Sequence, residues 1–292
     1  MNRLRLSIIM SEFNFELESI DKTKLKATSW QVESPTALIL WVHGFAEYRQ
    51  RYDEFANYLN SFNYSFAALD LRGHGESDGK RGFIRNFSDY LSDLNALVEW
   101  SKNKAPNVPL ILGAHSMGGL ILARYLEVGE FPRPVEAALF SGPFMGLGMP
   151  IPAWKEGLGK FMSAIIPSLS LPAGIDPALI STDEEIVKNY AADPKIFKTA
   201  TARWLTEILD AQSKALENAN RISLPLLFCQ GLGDKIVDIA AGRKFYDGLA
   251  SSDRTYKGFD GLYHEILNER RPSRDEVYAT YSDWLKKRFP RR

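Results

Sequence analysis

The sequence predicts an α/β domain: a mostly parallel central sheet, helices on both faces, and a helical cap inserted between two strands. Three observations carry this. Short apolar runs ending at Gly, Ser or charged residues recur along the chain, as expected of strands buried on both faces. They are TALILWV, SFAALDL, VPLILGA, VEAALFS and LPLLFCQ, starting at Thr36, Ser65, Val108, Val135 and Leu224. Helical stretches separate these runs, and strand–helix alternation implies a parallel sheet covered on both sides. Between about Gly146 and Ala215 the alternation stops. Pro150, Pro152, Pro167, Pro172, Pro177 and Pro194 accompany helical segments there, with no convincing strand. The expected division is a core of residues 1–145 and 216–292 with a cap of residues 146–215.

In chain order, Phe13, Phe15 and Leu17 alternate with polar residues, and Lys24 to Val32 follows the turn-like Asp21-Lys22-Thr23. This predicts an opening antiparallel hairpin. TALILWV leads into WVHGF, and SFAALDL into RGHGE. Leu91, Leu94, Leu97 and Val98 form one helical stripe, with Ser88 as the expected N-cap and Asp89 in the first turn. VPLILGA runs into Ser116 and then the helical MGGLILARYLEV. After the cap, LPLLFCQ precedes the helical IAAGRKFYDGL, the strand-like RTYKGF and a final helix. No internal repeat interrupts this order.

A chain of 292 residues buries a large core as one domain with an insertion. Its 36 basic and 36 acidic residues cancel, so the electrostatic footprint of a nucleic-acid binder is missing. Cys229 is the single cysteine; it excludes an internal disulfide and fits a reducing, cytoplasmic setting. The apolar part of MNRLRLSIIM is too short for a signal peptide, and Met10 is an alternative start to Met1. No run reaches the ~18 apolar residues of a membrane span. Without a secretory signal, the sequons at Asn63 and Asn86 read as chance.

Chemistry concentrates in LILGAHSMGGLI, residues 110–121. Ser116 follows a strand and opens a helix, the context of a nucleophile elbow. A sharp turn there lifts the hydroxyl off the sheet, and the helix N-terminus faces a developing oxyanion. Gly118 and Gly119 keep the far side of the turn free of side chains, whereas Ala114 stands where G-x-S-x-G has glycine. The competing reading is an ordinary serine at a helix start, which the strand–turn–helix context disfavours.

A serine nucleophile needs a base, and there are four histidines. His115 adjoins the serine and points elsewhere; His43 and His74 sit at strand ends and brace loops. His264, between the last strand and the last helix, satisfies the chain order Ser, acid, His. Asp234, just past LPLLFCQG, is the preferred acid. Asp238 is its rival, but it reads as a helix cap. Backbone N–H groups of Phe45 and Met117 are the expected oxyanion donors. No cluster has metal-ligand spacing, and no cofactor is expected.

HGFAEYRQRY, DLRGHGESDGKRG, GAHSMGG, GLGDKIV and YHEILNE resemble, in order and spacing, the monoacylglycerol lipase and lysophospholipase branch of the α/β-hydrolases. The likeness runs from about Thr36 to the C-terminus and includes PSLSLPAGIDPALIS and NYAADP. The resemblance implies the α/β-hydrolase fold, a triad of Ser116, Asp234 and His264, and oxyanion donors Phe45 and Met117. It also implies lipid monoesters, of glycerol or glycerophospholipids, as substrates. Three positions depart from the pattern: Ala114 for glycine (some bacterial lipases share this), and Ala46 for glycine and Tyr48 for histidine in H-G-x-G-E-H.

Trp154, Leu158, Phe161, Met162, Ile165 and Ile166 share one helical face in the cap and are expected to line an acyl pocket. The plainer reading is that this face packs on the core. Gly157 and Gly159 weaken that reading, each costing about 1 kcal/mol in a helix interior; a weakly self-stabilised helix suits a lid. Such a cap is expected to touch membrane surfaces transiently, while the basic KKRFPRR end reads mainly as dipole-matched. The alternatives are an esterase, thioesterase or peptidase for small or aromatic substrates, and a ligand-binding protein that kept the fold. Ser116 speaks against hydrolases with an aspartate nucleophile.

Overall fold

The computed structural model describes residues 10–149 and 153–291. In chain order, the strands are β1 (Met10–Glu18), β2 (Lys24–Val32), β3 (Ala37–Val42), β4 (Tyr64–Leu69), β5 (Leu110–His115), β6 (Ala137–Ser141), β7 (Ser170–Pro172), β8 (Thr199–Thr201), β9 (Leu226–Gly231) and β10 (Arg254–Phe259). The α-helices are α1 (Asp53–Asn60), α2 (Ser88–Lys104), α3 (Met117–Val128), α4 (Ala153–Ile165), α5 (Glu184–Ala192), α6 (Ala202–Asn218), α7 (Ile239–Gly248) and α8 (Ser273–Arg288).

Eight strands form one sheet in the order β1-β2-β4-β3-β5-β6-β9-β10. In that sheet β4, β3, β5, β6, β9 and β10 are mutually parallel, and the β1–β2 hairpin adds antiparallel to β4. This is the α/β-hydrolase fold. Every apolar run predicted as a strand is one. Alternate residues explain why the runs are continuous: Leu38, Leu40 and Val42 enter the core on one face, Ile39 and Trp41 that on the other. The first core is closed by α2, α3, α6 and α7, the second by α1 and α8.

The chain runs outward from β3 to β4, then crosses back over β3 to β5. That reversal opens a crevice beyond the strand ends, where sheets of this kind bind ligands. His43 to Phe45 leave β3 there, and Ser116 leaves β5.

Two local expectations change. The predicted cap Ser88 lies inside α2, whose N-cap position is Phe87; Asp89 instead accepts the N–H groups of Arg85 and Asn86 at 3.0 and 3.1 Å. The segment between β6 and β9 is not free of strands: β7 and β8 pair antiparallel. At three residues each, they are too short for an alternating pattern to register. Within that segment α6 continues to Asn218, and its Trp204, Ile208, Ala211 and Ala215 join the main core.

Candidate active site

Ser116 ends β5 and is the N-cap residue of α3, at φ 52° and ψ −119°. An L residue reaches this region only under constraint, and the constraints are visible. The Ser116 N–H donates to the Ser141 carbonyl at 3.0 Å, and its own carbonyl accepts from Gly119 and Phe144 at 2.8 and 2.9 Å. The turn also needs room. A Cβ at Gly118 would run into the Val42 and His43 carbonyls, and one at Gly119 into Pro143. Ala114 meets no such crowding: it is fully buried in the core, paired with Val42 and Phe140. The glycine required in this strand is Gly113, where a Cβ would strike the Trp41 indole.

The Ser116 hydroxyl lies 2.8 Å from His264 Nε2, and His264 Nδ1 lies 2.7 Å from Asp234 Oδ2. Asp234 Oδ2 also accepts from Gln230 Nε2 at 3.2 Å, and Oδ1 from the N–H groups of Ile236 and Val237 at 2.8 and 3.1 Å. Asp238 is engaged otherwise, capping α7 by accepting from Ala240 and Ala241. Burial alone would pull the His264 proton off, but the Asp234 carboxylate outweighs it and the pKa is raised. The same pair reverses the effect of burial on Asp234, whose pKa is lowered with help from the two backbone donors.

The remaining histidines hold loops. His43 accepts the Leu71 N–H on Nε2 at 2.9 Å and donates from Nδ1 to the Gly44 carbonyl at 2.7 Å. Nδ1 of His74 contacts the Arg72 carbonyl, and Nδ1 of His115 the Ser141 carbonyl, both at 2.9 Å. Burial pushes His43 down to about 4 and His115 to about 3, so all three are neutral braces.

Ala46 adopts φ 64°, a conformation suited to the glycine it replaces. Its side chain is buried with Ile180, Tyr190 and Ile196, so the methyl packs the seam between the loop after β3 and the inserted segment. Tyr48 donates its hydroxyl to Asp193, at the C-terminal end of α5, at 2.6 Å. Both departures therefore lie on the seam rather than at the triad.

A cavity of about 360 Å³ opens beside Ser116. Its apolar wall includes Phe45, Phe144, Leu147, Leu179, Trp204 and Leu205. At its rim, Met149 and Leu171 are 73% and 53% exposed. The described part of this wall holds none of the predicted residues. The side chains of Trp154 and Leu158 lie outside the described residues. Phe161, Met162 and Ile165 are described, and none lines the cavity; Phe161 and Ile165 are 60% and 61% exposed. The side that α4 turns inward carries Ser163, whose hydroxyl meets Thr206 of α6 at 2.9 Å. Helical spacing identified a stripe but not the direction it faces. Trp204 and Leu205 were missed, although the apolar spacing of α6 was a usable signal. Leu147 and Leu179 lie in loops without periodicity.

A second, smaller cavity of about 30 Å³ touches Ser116 and His264 and is bordered by Glu47, His115, Tyr190 and Glu265. Among the described residues, no group of three His, Cys, Asp or Glu side chains is placed to hold a metal ion. No helix among them is long and apolar enough to cross a membrane.

The model of the hydrolase family described as serine aminopeptidase, S33, matches residues 33–271. The chain belongs to this family. Within it, curated relatives include phospholipase YtpA of Bacillus subtilis, 30% identical over 86% of this chain and 95% of that protein. A monoacylglycerol lipase of Mycolicibacterium smegmatis is 30% identical over 86% of this chain and 88% of its own. The crystal structure of the Paleococcus ferrophilus monoacylglycerol lipase superposes with a TM-score of 0.79 at 26% identity, covering 96% of this chain and 99% of that one. These relatives place the chain among the serine ester hydrolases of the family, in the branch that holds the monoacylglycerol lipases.

Proposed function

We propose that the chain hydrolyses carboxylic esters of lipid monoesters through an acyl-enzyme on Ser116, with His264 as base and Asp234 as its orienting acid. The observation that carries this is the unbroken hydrogen-bond chain Ser116–His264–Asp234 at the mouth of an apolar cavity. Ser116 Oγ attacks the ester carbonyl while His264 Nε2 takes its proton. The N–H groups of Phe45 and Met117 stabilise the tetrahedral oxyanion; among the described residues no protein acceptor is recorded for either. Protonated His264 then passes the proton to the departing alcohol, leaving the acyl group on Ser116. A water, deprotonated by His264, attacks that ester, and collapse of the second tetrahedral intermediate frees the carboxylic acid and restores the serine.

The acyl chain occupies the 360 Å³ cavity, a size within the usual range for small-molecule sites. The alcohol side falls toward the smaller cavity, bordered by the Glu47 and Glu265 carboxylates. Residues 146–215 act as a cap over the site, and the exposed Met149, Phe161, Ile165, Ile166 and Leu171 are the side chains that would meet a lipid surface.

The test is a hydrolysis panel crossing acyl length with head group, using substrate below its aggregation concentration, alongside labelling by a fluorophosphonate. Ser116→Ala should abolish turnover and labelling while leaving the fold intact. Preference for acetate and butyrate esters would assign the chain to small esters instead, and an active, labelled Ser116→Ala protein would remove the nucleophile.

A further inference from the structure

Beside the triad lies a buried ionic cluster that the proposed reaction does not use. Arg51 follows the loop carrying Phe45. Its guanidinium binds both oxygens of Glu265, the residue after His264, at 2.7 and 2.7 Å. The same guanidinium reaches Glu47 Oε2 at 3.0 Å. Glu47 Oε1 in turn accepts the Gly44 N–H, inside the loop itself, and the Tyr52 hydroxyl at 2.8 Å. The three side chains are 11%, 6% and 4% exposed for Arg51, Glu265 and Glu47.

Buried ion clusters are poor stabilisers, because desolvation offsets much of the Coulomb gain. What this one supplies is geometry. One end grips the loop that offers the Phe45 N–H; the other grips the neighbour of the base. Between them the cluster fixes the distance from oxyanion donor to imidazole. The loop needs holding, since Ala46 keeps an unfavourable positive φ of 64°. The inserted segment joins as well: the Glu265 N–H donates to the Ile180 carbonyl at 2.7 Å, and Arg51 lies 5.1 Å from the Tyr190 ring. Asn268 completes Glu265 with a bond of 2.9 Å.

We infer that Glu265, through Arg51 and Glu47, is a positioning residue for ester hydrolysis that locks the Phe45 loop to the His264 loop. The inference rests on the proposed serine-hydrolase reading.

Glu265 also contributes charge. The charged or titratable groups facing His264 are Asp234, Glu265, Glu47 and His115, whose ring centroid lies 4.8 Å away, while Arg51 acts on His115. Burial pushes the carboxyl groups of Glu47 and Glu265 up; for Glu265 the Arg51 guanidinium reverses this and holds it ionised. An anion next to His264 favours its imidazolium, so removing that anion lowers the pH at which the base becomes active.

Two variants separate reach from charge. Glu265→Asp keeps the charge but shortens the side chain, so it should lower kcat on a monomeric butyrate ester roughly tenfold, with KM within about twofold and the acid limb of kcat/KM unmoved. Glu265→Gln keeps the length and removes the charge. It should lower kcat and shift the acid limb to lower pH, an effect that a merely structural role would not produce. Circular dichroism and thermal melts identify any variant that fails to fold, and the other then carries the test. Wild-type kcat retained within twofold by a folded variant, with no shift of the limb, would overturn the inference. Absence of ester turnover and fluorophosphonate labelling in the wild type would instead sink the serine-hydrolase reading.

Discussion

At Ser116 the backbone holds φ 52°, a conformation whose cost is of order 1–3 kcal/mol. Neighbouring glycines and backbone hydrogen bonds to Ser141, Gly119, Leu120 and Phe144 maintain it, and Ala114 is not part of that support. Ala114→Gly should therefore leave kcat within a few-fold of wild type. It should also reduce stability, since glycine in a strand costs roughly 0.5–1 kcal/mol relative to alanine, read as a lower melting temperature. A hundredfold gain in kcat would mean that the methyl distorts the elbow. For the acid, Asp234→Asn should lower kcat by on the order of 10⁴ through loss of the histidine tautomer. Asp238→Asn removes only a charge from a helix cap, so it should change kcat little; reversed ranks would reassign the acid. The pH profile belongs here too. Burial lowers the His264 pKa, but Asp234 raises it further, to a net value above the ordinary 6.5. Because the proton must be off for His264 to act as base, kcat/KM should climb with pH through a limb centred above 6.5 and then level. A limb centred well below 6.5 would contradict the His264–Asp234 coupling. The proposed serine, acid and base were legible as candidates in sequence because each stands where a strand gives way to a loop. The Glu47–Arg51–Glu265 cluster was not, because charged residues read as solvated until folding shows which are buried.

Among elements, α4 departs most from expectation. Its apolar stripe was legible, but its orientation depended on α6, whose Thr206 takes the Ser163 side. Phe161→Asp should therefore leave the chain-length profile on monomeric substrate nearly unchanged. Leu179→Asp, which places a charge in the cavity wall, should depress long-chain hydrolysis well beyond its effect on butyrate. Each methylene removed from water is worth up to ~0.8 kcal/mol, so the loss should grow with chain length. With vesicle-borne substrate the roles change: Phe161→Asp should then slow turnover, because the residue is exposed beside the other outward apolar side chains. Equal behaviour of the two variants in both assays would return α4 to the cavity wall. The strands needed no tertiary information, since burial on both faces writes itself as unbroken apolar runs. β7 and β8 were invisible for the opposite reason: each is only three residues long, and β7 is exposed and ends at Pro172.

On the scale of the molecule, the site is assembled from distant parts. Loops after β3, β5 and β9 meet the loop after β10 and the segment between β6 and β9. Loss of ester hydrolysis and loss of far-UV dichroism should coincide in a urea titration, within the error of the midpoints. Activity lost at clearly lower urea would show that the inserted segment melts as a separate unit. The parallel sheet was legible from the rhythm of apolar runs, as was the break in that rhythm between β6 and β9. The seam between sheet and inserted segment, closed by Ala46, Tyr48 and Tyr190, required knowing which loops touch.

Ser116 and His264 are separated by 148 positions along the chain yet share a hydrogen bond of 2.8 Å. During synthesis the nucleophile is made long before its base. A growing chain that already contains the elbow has only an ordinary alcohol at Ser116, with no partner to take its proton. Reactivity toward esters and covalent inhibitors thus appears only once the final strand and the loop after it have been made and docked. Stalled or truncated products ending before His264 should be unlabelled by fluorophosphonates, so the chain carries its own safeguard against a half-made hydrolase.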